Sequence, residues 1–591
     1  MNHIRPHNYY APDLSHWKPG LYLDHGFDRT AHKVDVRRIE PRRGRYNIQN
    51  IGIFLWSLGA YSITKANATP AATNGSASQL CYRFSSLGMD IPLFHQAVSQ
   101  GEQIVATAEP VNVPDRLRRR VLCDDLQKGV GASFYGEGAS LAVYLDGKLL
   151  NPYQIQIADL AGTEGSWVNL PPSNSRYTAV VDPELGRIAL APSAVGTAAP
   201  NLALSYHYGF NADMGAGEYT RESTLHVTDP TWIVSFPDPS FIDLQHALDH
   251  AISLLATNGE VAVEIGTIAK GSQSYTMTAP LTVHLPANKT FELRSAAGSR
   301  ATILLDGELS ITGEASSNFI LNGLILSASA AMTPASPFSC ALVFVPASDP
   351  TGSPNLLDNL NILHSTVVPG WSVAPDGTPH NPTALAIKVE TASTTVEISA
   401  SIVGSIRAAE FATFTLSDSI LDATDPTLVA YAAPEEDAGS GGGGALTITA
   451  CTIVGKVHAT LLQLVSNCIF WSALLPADKA PWVSALVADR RQQGCVRFSF
   501  LPFNAITPRT FECVYQALAS PQPYFFALRY GRPAYLKLLT STSDVIRRGA
   551  DDGGEMGAYH ALLAPQRESD LQIRMNEYLP VGLEFGLIYQ N

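Results

Sequence analysis

Charge is scarce in this chain: of 591 residues, 16% are Asp, Glu, Lys or Arg, and the formal balance is −14. That balance argues against general binding to nucleic acid or to an anionic membrane, both of which reward a basic surface. Cysteine is present without a pairing pattern. The seven, Cys81, Cys123, Cys340, Cys451, Cys468, Cys495 and Cys513, are odd in number, widely spaced and form no Cys-x-x-Cys. They read as buried free thiols of a reducing compartment, with no support for a zinc site. Long apolar runs are missing too. IGIFLWSLGAYSI (Ile51 to Ile63) is too short to span a bilayer. The opening MNHIRPHNYYAPDLSHW has no apolar core of the kind a secretory signal needs. The chain is therefore expected to be made and assembled in the cytoplasm without a signal peptide or a transmembrane segment.

What is abundant points to β structure. The chain is 46% hydrophobic, with 45 Gly, 39 Pro and many Ser, Thr and Val, a profile of short strands and many turns. Its length exceeds one compact core, so several domains are expected. Residues 1–125 are rich in Arg, Pro and aromatics, with DVRRIEPRRGRYN at 35–47 and RLRRR at 116–120. Such arginines most often pair with carboxylates, within the fold or on a neighbouring subunit, and the segment is expected to be an extended arm. Residues 126–235 read as a small β domain. LAVYLDGKLLNP is a hairpin turning at Asp146-Gly147, and alternation returns in YTAVVDPELGRIAL and NLALSYHYGF. The glycine-rich GFNADMGAGEY lacks the Lys and the following helix of a phosphate-binding loop.

Residues 236–485 carry a different signal. In DPSFIDLQHALDHAISLLATNG, Leu244, Leu248, Ala251, Ile252 and Leu255 share one helical face, and Gly259 follows. A run of short strands comes next, and then a small pattern recurs in HSTVVPG, SASIVGSI, SDSILDAT, ACTIVGKV and SNCIFWSA. Aligned on their aliphatic pairs, these place Thr366, Ser401, Ser419, Thr452 and Cys468 in one column, at steps of 35, 18, 33 and 16 residues. One or two turns of a coil fit those steps, which predicts a right-handed parallel β-helix with like residues stacked on successive coils. The amphipathic helix is expected to cap its first coil, and PEEDAGSGGGG to loop out of a later one. The coil pattern fades after Trp482, leaving 486–591 as a mixed C-terminal docking region.

Parallel β-helices are best known from pectate-lyase-like enzymes, whose chemistry sets what an active site here would need. Over 310–480 the basic residues are Lys388, Arg407, Lys456 and Lys479, far apart in sequence, where a lyase needs a base beside a site for the developing enolate. Asp418 and Asp422 flank the Ser419 column, but Ala400, Asn467, Gly404 and Gly455 occupy the equivalent places elsewhere, so no second carboxylate stacks beside them. Gly-x-Ser-x-Gly, His-Glu-x-x-His and EF-hand signatures are absent. His16, His25 and His32 lack ligand spacing. The turn Asp551-Asp552-Gly553-Gly554-Glu555 lacks the alternating ligands of a calcium loop and reads as chain reversal, paired with Arg547 or Arg548. Beyond it, Leu571, Met575, Tyr578 and Leu579 make one apolar stripe of a helix opened near Pro565 and ended by Pro580. No catalytic residue, metal ligand or cofactor is expected.

Several blocks resemble a family found among the baseplate and tail genes of phage-tail-like contractile injection systems. They include DRTAHKVDVRRIEPRRGRYNIQNIGIFLWSL, DPELGRIAL, LSYHYGFNADMGAGEY, LNILHSTVVPG, QQGCVRFSFLP, LRYGRPAY and GADDGGEMGAYHALLAPQRESDLQIRMNEYL. The resemblance implies a structural part of a particle, released or membrane-anchored, that contacts other baseplate or tail subunits and copies of itself. On that reading Arg37, Arg38, Arg42, Arg43 and Arg45, with Leu571, Met575, Tyr578 and Leu579, are assembly contacts. The alternative is a carbohydrate-binding or carbohydrate-cleaving β-helix, tailspike-like or pectate-lyase-like, recognising a target-surface glycan.

Overall fold

The computed structural model describes residues 50–71, 80–99, 109–195, 200–266, 271–332, 340–434, 441–478, 482–516, 521–579 and 583–590. Three long parallel sheets of 11, 10 and 8 strands dominate it. The chain visits them in turn, one strand in each per coil, so every strand pairs with its counterpart one coil away. This is a mainly β, parallel β-helix-like fold. The first sheet runs from Ile233–Phe236 to Arg509–Phe511, the second from Ser274–Thr276 to Val514–Tyr515, and the third from Leu281–Leu285 to Leu486–Ala488. One aliphatic core fills the coil, from Val234 to Leu501. Strands buried on both faces need such near-continuous apolar runs.

The capping helix is Leu244–Leu255, begun by Asp243, whose carboxylate accepts the His246 amide at 2.9 Å. Leu244, Leu248, Ala251 and Leu255 are buried in the coil core, and Ile252 packs at its margin. At the opposite end the expected boundary near Trp482 moves. Strands Cys495–Arg497 and Phe500–Leu501, then Arg509–Phe511 and Val514–Tyr515, add two further coils to the first and second sheets. The third sheet stops at Leu486–Ala488. The step from Cys468 to Ser499 is 31 residues and includes Leu486–Ala488, while that from Ser499 to Cys513, with no third-sheet strand, is 14, so the last coil departs from the sequence pattern.

The expected arm also needs correcting within the described residues. Strand Gly59–Asn67 lies beside Leu202–Phe210, and Cys81–Arg83 beside Arg187–Leu190. Residues before 126 therefore build the β domain, whose core takes Ile63, Tyr82, Phe84, Leu117 and Leu122 together with Val143, Val181, Ile188 and Leu204. The hairpin turn falls at Asp146-Gly147 as expected, both residues having positive φ, 49° and 78°. Arg119 of the RLRRR run makes a bidentate pair with buried Asp182, at 2.8 and 2.9 Å, so this arginine serves the chain's own fold. Arg221 then pins the linker to the coil. Its guanidinium reaches the carbonyl of Ser299 at 3.1 Å and Asn322 Oδ1 at 3.3 Å, and a Cβ at Gly323 would overlap it.

Each later coil turns from the first sheet to the second through one left-handed residue: Gly323, His364, Ala400, Asp418, Ala450, Asn467, Phe498 and Glu512, with φ between 44° and 73°. The residue after it forms the inner column, which runs Ser365, Ser401, Ser419, Cys451, Cys468, Ser499, Cys513. The expected column is therefore right at Ser401, Ser419 and Cys468 and one residue out at Thr366 and Thr452. In the ladder, the Ser365 amide donates to Ser401 Oγ at 3.1 Å, and the Ser401 amide to Ser419 Oγ at 3.0 Å. Each hydroxyl or thiol then donates to the carbonyl two residues back, Ser401 to Ser399 at 2.8 Å and Cys468 to Ser466 at 3.1 Å.

Removing one rung orphans a buried amide on the coil before it. Ser401→Ala is expected to cost about 1–3 kcal/mol in equilibrium urea unfolding, while Ser401→Cys, which keeps a weak donor and acceptor, loses clearly less. Equal losses for the two would show that volume, not hydrogen bonding, sets the column.

Candidate functional site

The second sheet has an outer face that water does not reach. Its outward column is Ile325, Thr366, Ile402, Ile420, Thr452, Ile469, Phe500, and every member is at most 2% exposed. The chain's other parts cover it. Ile325 belongs to the β-domain core. Ile402, Ile420 and Val454 pack against Met214, Tyr535, Leu536 and Tyr559, and Ile469 and Phe500 against Leu538, Ile546 and Met556.

Two segments far apart in sequence dock on this face in the same way. Each is Met-Gly-Ala, at 214–216 and at 556–558. The Gly215 amide donates to the corner carbonyl of Ala400 at 2.7 Å, and the Gly557 amide to that of Asn467 at 2.8 Å. One residue on, the Ala216 amide donates to Thr366 Oγ1 at 3.2 Å and the Ala558 amide to Thr452 Oγ1 at 3.0 Å. Both glycines have positive φ, 71° and 97°, and in each a Cβ would sit 2.7 Å from the threonine oxygen. Thr366 and Thr452 thus stand one place beyond the inner column because they accept these clips. Aligning the coils on aliphatic pairs could not separate two adjacent small polar residues; the repeated Met-Gly-Ala was the signal available in the sequence.

The acidic turn lies beside the second clip. Asp551 and Asn467 bond reciprocally: Asn467 Nδ2 donates to Asp551 Oδ1 at 2.7 Å, and the Asp551 amide to Asn467 Oδ1 at 3.1 Å. Asp552 accepts the Gly554 amide at 2.7 Å, and His560 Nε2 lies 3.7 Å from its other oxygen. Ligand atoms of Asp551, Asp552 and His560 come within 4.8 Å of one another, but hydrogen bonds within the turn and to Asn467 account for that geometry. The expected pairing with Arg547 or Arg548 is not formed; Arg547 instead holds Glu568 of the closing helix at 2.9 Å. The turn locks a corner of the coil.

The carboxylates and cations weighed for catalysis have structural settings. Asp422 is buried, accepts the Tyr535 hydroxyl and the Thr424 amide, and burial pushes its carboxyl up to about 6. Asp418 is a left-handed corner. Lys388 and Arg407, far apart in sequence, are register neighbours on adjacent strands. Arg407 is 3% exposed, and its guanidinium donates to the carbonyls of Ile406 and Val429 at 3.0 and 3.3 Å. Lys456 pairs with Asp478 at 2.9 Å.

Of the expected assembly contacts, Arg37, Arg38, Arg42, Arg43 and Arg45 lie outside the described residues. The closing helix is Ala564–Tyr578. Leu571 and Met575 are buried against Leu55, with Leu579 packed alongside, so this chain's own strands occupy that stripe and remove both residues from the surface open to a partner. Tyr578 is half-buried. No helix among the described residues is long and apolar enough to cross a membrane. Compared with known proteins, the chain matches no family model and no curated sequence.

Two measurements probe the docking face. Gly557→Ala meets both an unfavourable φ and the Thr452 hydroxyl, and is expected to cost about 2–4 kcal/mol; Gly215→Ala should behave alike in the same unfolding assay. Asp422 sets a pH dependence. Its folded value, about 6, exceeds the unfolded one near 3.9, so the folded state holds the proton more tightly. Its contribution to stability is therefore most favourable below about pH 4 and is lost as pH rises to about 6. Asp422→Asn should match the parent near pH 4 and exceed it by roughly 3 kcal/mol at pH 7.5. A constant difference between the two proteins across that range would disprove the assignment.

Proposed function

We propose that this chain is a non-enzymatic structural subunit of the baseplate or tail of a phage-tail-like contractile injection particle, present in several copies and held by protein–protein contacts. Its coil winds right-handed, the hand in which parallel crossovers pack, and acts as a rigid spacer between docking ends. The observation that carries the reading is a small unfinished sheet. Strand Asn50–Trp56 pairs in parallel with Glu584–Gln590 and with no other described strand. Phe54 and Ile588 are 39% and 40% exposed on it. A sheet of two described strands, packed by the closing helix but paired at its edges with no other described strand, invites strand addition from a neighbour. In sequence the arginine-rich stretch 35–47 comes just before Asn50, and in a chain of net charge −14 a local run of basic residues suits docking on an acidic neighbour.

A glycan-binding role is the second reading. Its support is three exposed aromatics on the last two coils, Phe503, Phe511 and Tyr515, at 63%, 57% and 41%.

Deleting residues 1–48 tests the assembly role. The truncated chain should keep its cooperative melt but be missing from purified particles. Full occupancy of the particle by the truncated chain would refute the arm as a contact, and loss of the melt would assign the segment to this chain's own core.

A further inference from the structure

The coil finishes differently at its two ends. At the first, the helix Leu244–Leu255 closes the core. At the last, strands Arg509–Phe511 and Val514–Tyr515 are the terminal members of their sheets, paired only with the coil before them. No strand among the described residues pairs with their other edge. The Phe498 amide donates to the Phe511 carbonyl at 3.0 Å, so Phe511 and, two places back, Arg509 turn their backbone groups toward the preceding coil. Thr510 between them turns its N–H and C=O toward the open end, as alternation along a strand requires. Its side chain points inward, in register with buried Val496, and its Oγ1 accepts the Tyr515 hydroxyl at 3.1 Å. Side chains alternate as well, so Arg509 and Phe511 share the outer face. Arg509 is exposed with no ion pair among the described residues, and Phe511 is 57% exposed.

An open strand edge is a template for another strand. Head-to-tail stacking would need an open first end on the next copy, and the helix occupies that end. A second copy can therefore add only its own last coil, which reverses the strand direction. We propose that two copies of this chain pair through their last coils, with Arg509–Phe511 of each lying antiparallel about a two-fold axis at Thr510. In that register Thr510 faces Thr510 of the second copy, and the two exchange a pair of N–H to carbonyl bonds. Arg509 stands opposite Phe511 of the second copy, within reach for its guanidinium to lie on the ring. The two-fold axis makes that contact twice. The strand is thus complementary to itself, since donors meet acceptors and each cation meets an aromatic face. A slip of one residue would set Arg509 against an inward side chain and lose both. The pairing follows from the coil end alone and does not depend on the particle role proposed above.

Sedimentation equilibrium of the isolated full-length chain tests this. The chain should form a reversible dimer and no higher oligomer. Thr510→Pro removes the outward N–H at a place where an edge strand tolerates proline, and should weaken the dimer about tenfold or more. Thr510→Val loses the same hydroxyl but keeps the N–H, and should dimerise like the parent. Arg509→Glu, on the exposed face, removes two cation–ring contacts per dimer and should weaken it about tenfold. Should Thr510→Pro fail to fold, Arg509→Glu carries the test alone. A chain that stays monomeric throughout the micromolar range, or an open-ended series of oligomers, would overturn the proposal. So would a dimer that keeps its affinity in Thr510→Pro or Arg509→Glu, or one weakened equally by Thr510→Val.

Discussion

A corner in a β coil breaks the regular exchange of amide and carbonyl between strands, and the serine and cysteine column is what repairs it. Each left-handed residue sends its own amide to the carbonyl one coil on, as Ala400 does to Ser417 at 3.1 Å. The next amide would be orphaned in a dry interior. It finds the hydroxyl of the following coil, whose proton returns to the carbonyl two residues back. A Ser or Cys is small enough to sit inside the corner and can donate and accept at once. The column therefore fixes which residue of one coil faces which residue of the next. A slip of one residue would turn the aliphatic core outward.

With register fixed, the second sheet presents a flat apolar outer face that must be covered. The chain covers it with its own segments, using one clip geometry twice. Each clip places a glycine where no side chain fits and an alanine amide on a threonine. The two docking sites lie three coils apart along the same column, at Thr366 and Thr452. The β domain and the C-terminal loops are thus held by the coil's own periodicity. That explains why a segment built to dock finds its receptor within the same chain.

The sequence disclosed what depends on local periodicity. The capping helix, the Asp146-Gly147 hairpin and the existence of stacked coils all follow from residues within one element or one repeat. It hid what depends on register between distant segments. Thr366 and Thr452 look interchangeable with the column serines because both are small and polar, and only the clips distinguish them. Lys388 and Arg407 look remote because 18 residues separate them in sequence, although one coil brings them side by side. The strand Gly59–Asn67 was obscured by arginine- and proline-rich surroundings, while its own alternation suits a sheet.

Two buried carboxyls and a lysine under the C-terminal segment make its docking sensitive to pH. Asp422 lies beneath Tyr535. Glu555, one residue before the second clip, is 6% exposed, and burial pushes its carboxyl up. Lys537, whose ammonium donates to the Ser57 carbonyl at 3.1 Å, is pushed down by the same desolvation. The two carboxyls share a sign: raised in the folded state, they weaken docking as pH rises from the ordinary carboxylate range toward neutrality. Lys537 acts oppositely and further up. Its folded value, about 8, lies below the unfolded one near 10.4, so the folded lysine sheds its proton first and stability is regained as pH climbs from about 8 toward 10.4. Glu555 and Lys537 also screen each other, which tempers both effects near neutral pH. The inner column of hydroxyls and thiols carries no charge over the carboxyl range, burial holding the Cys468 thiol well up, so the rise in pH that weakens the docked segment leaves the ladder beneath it intact.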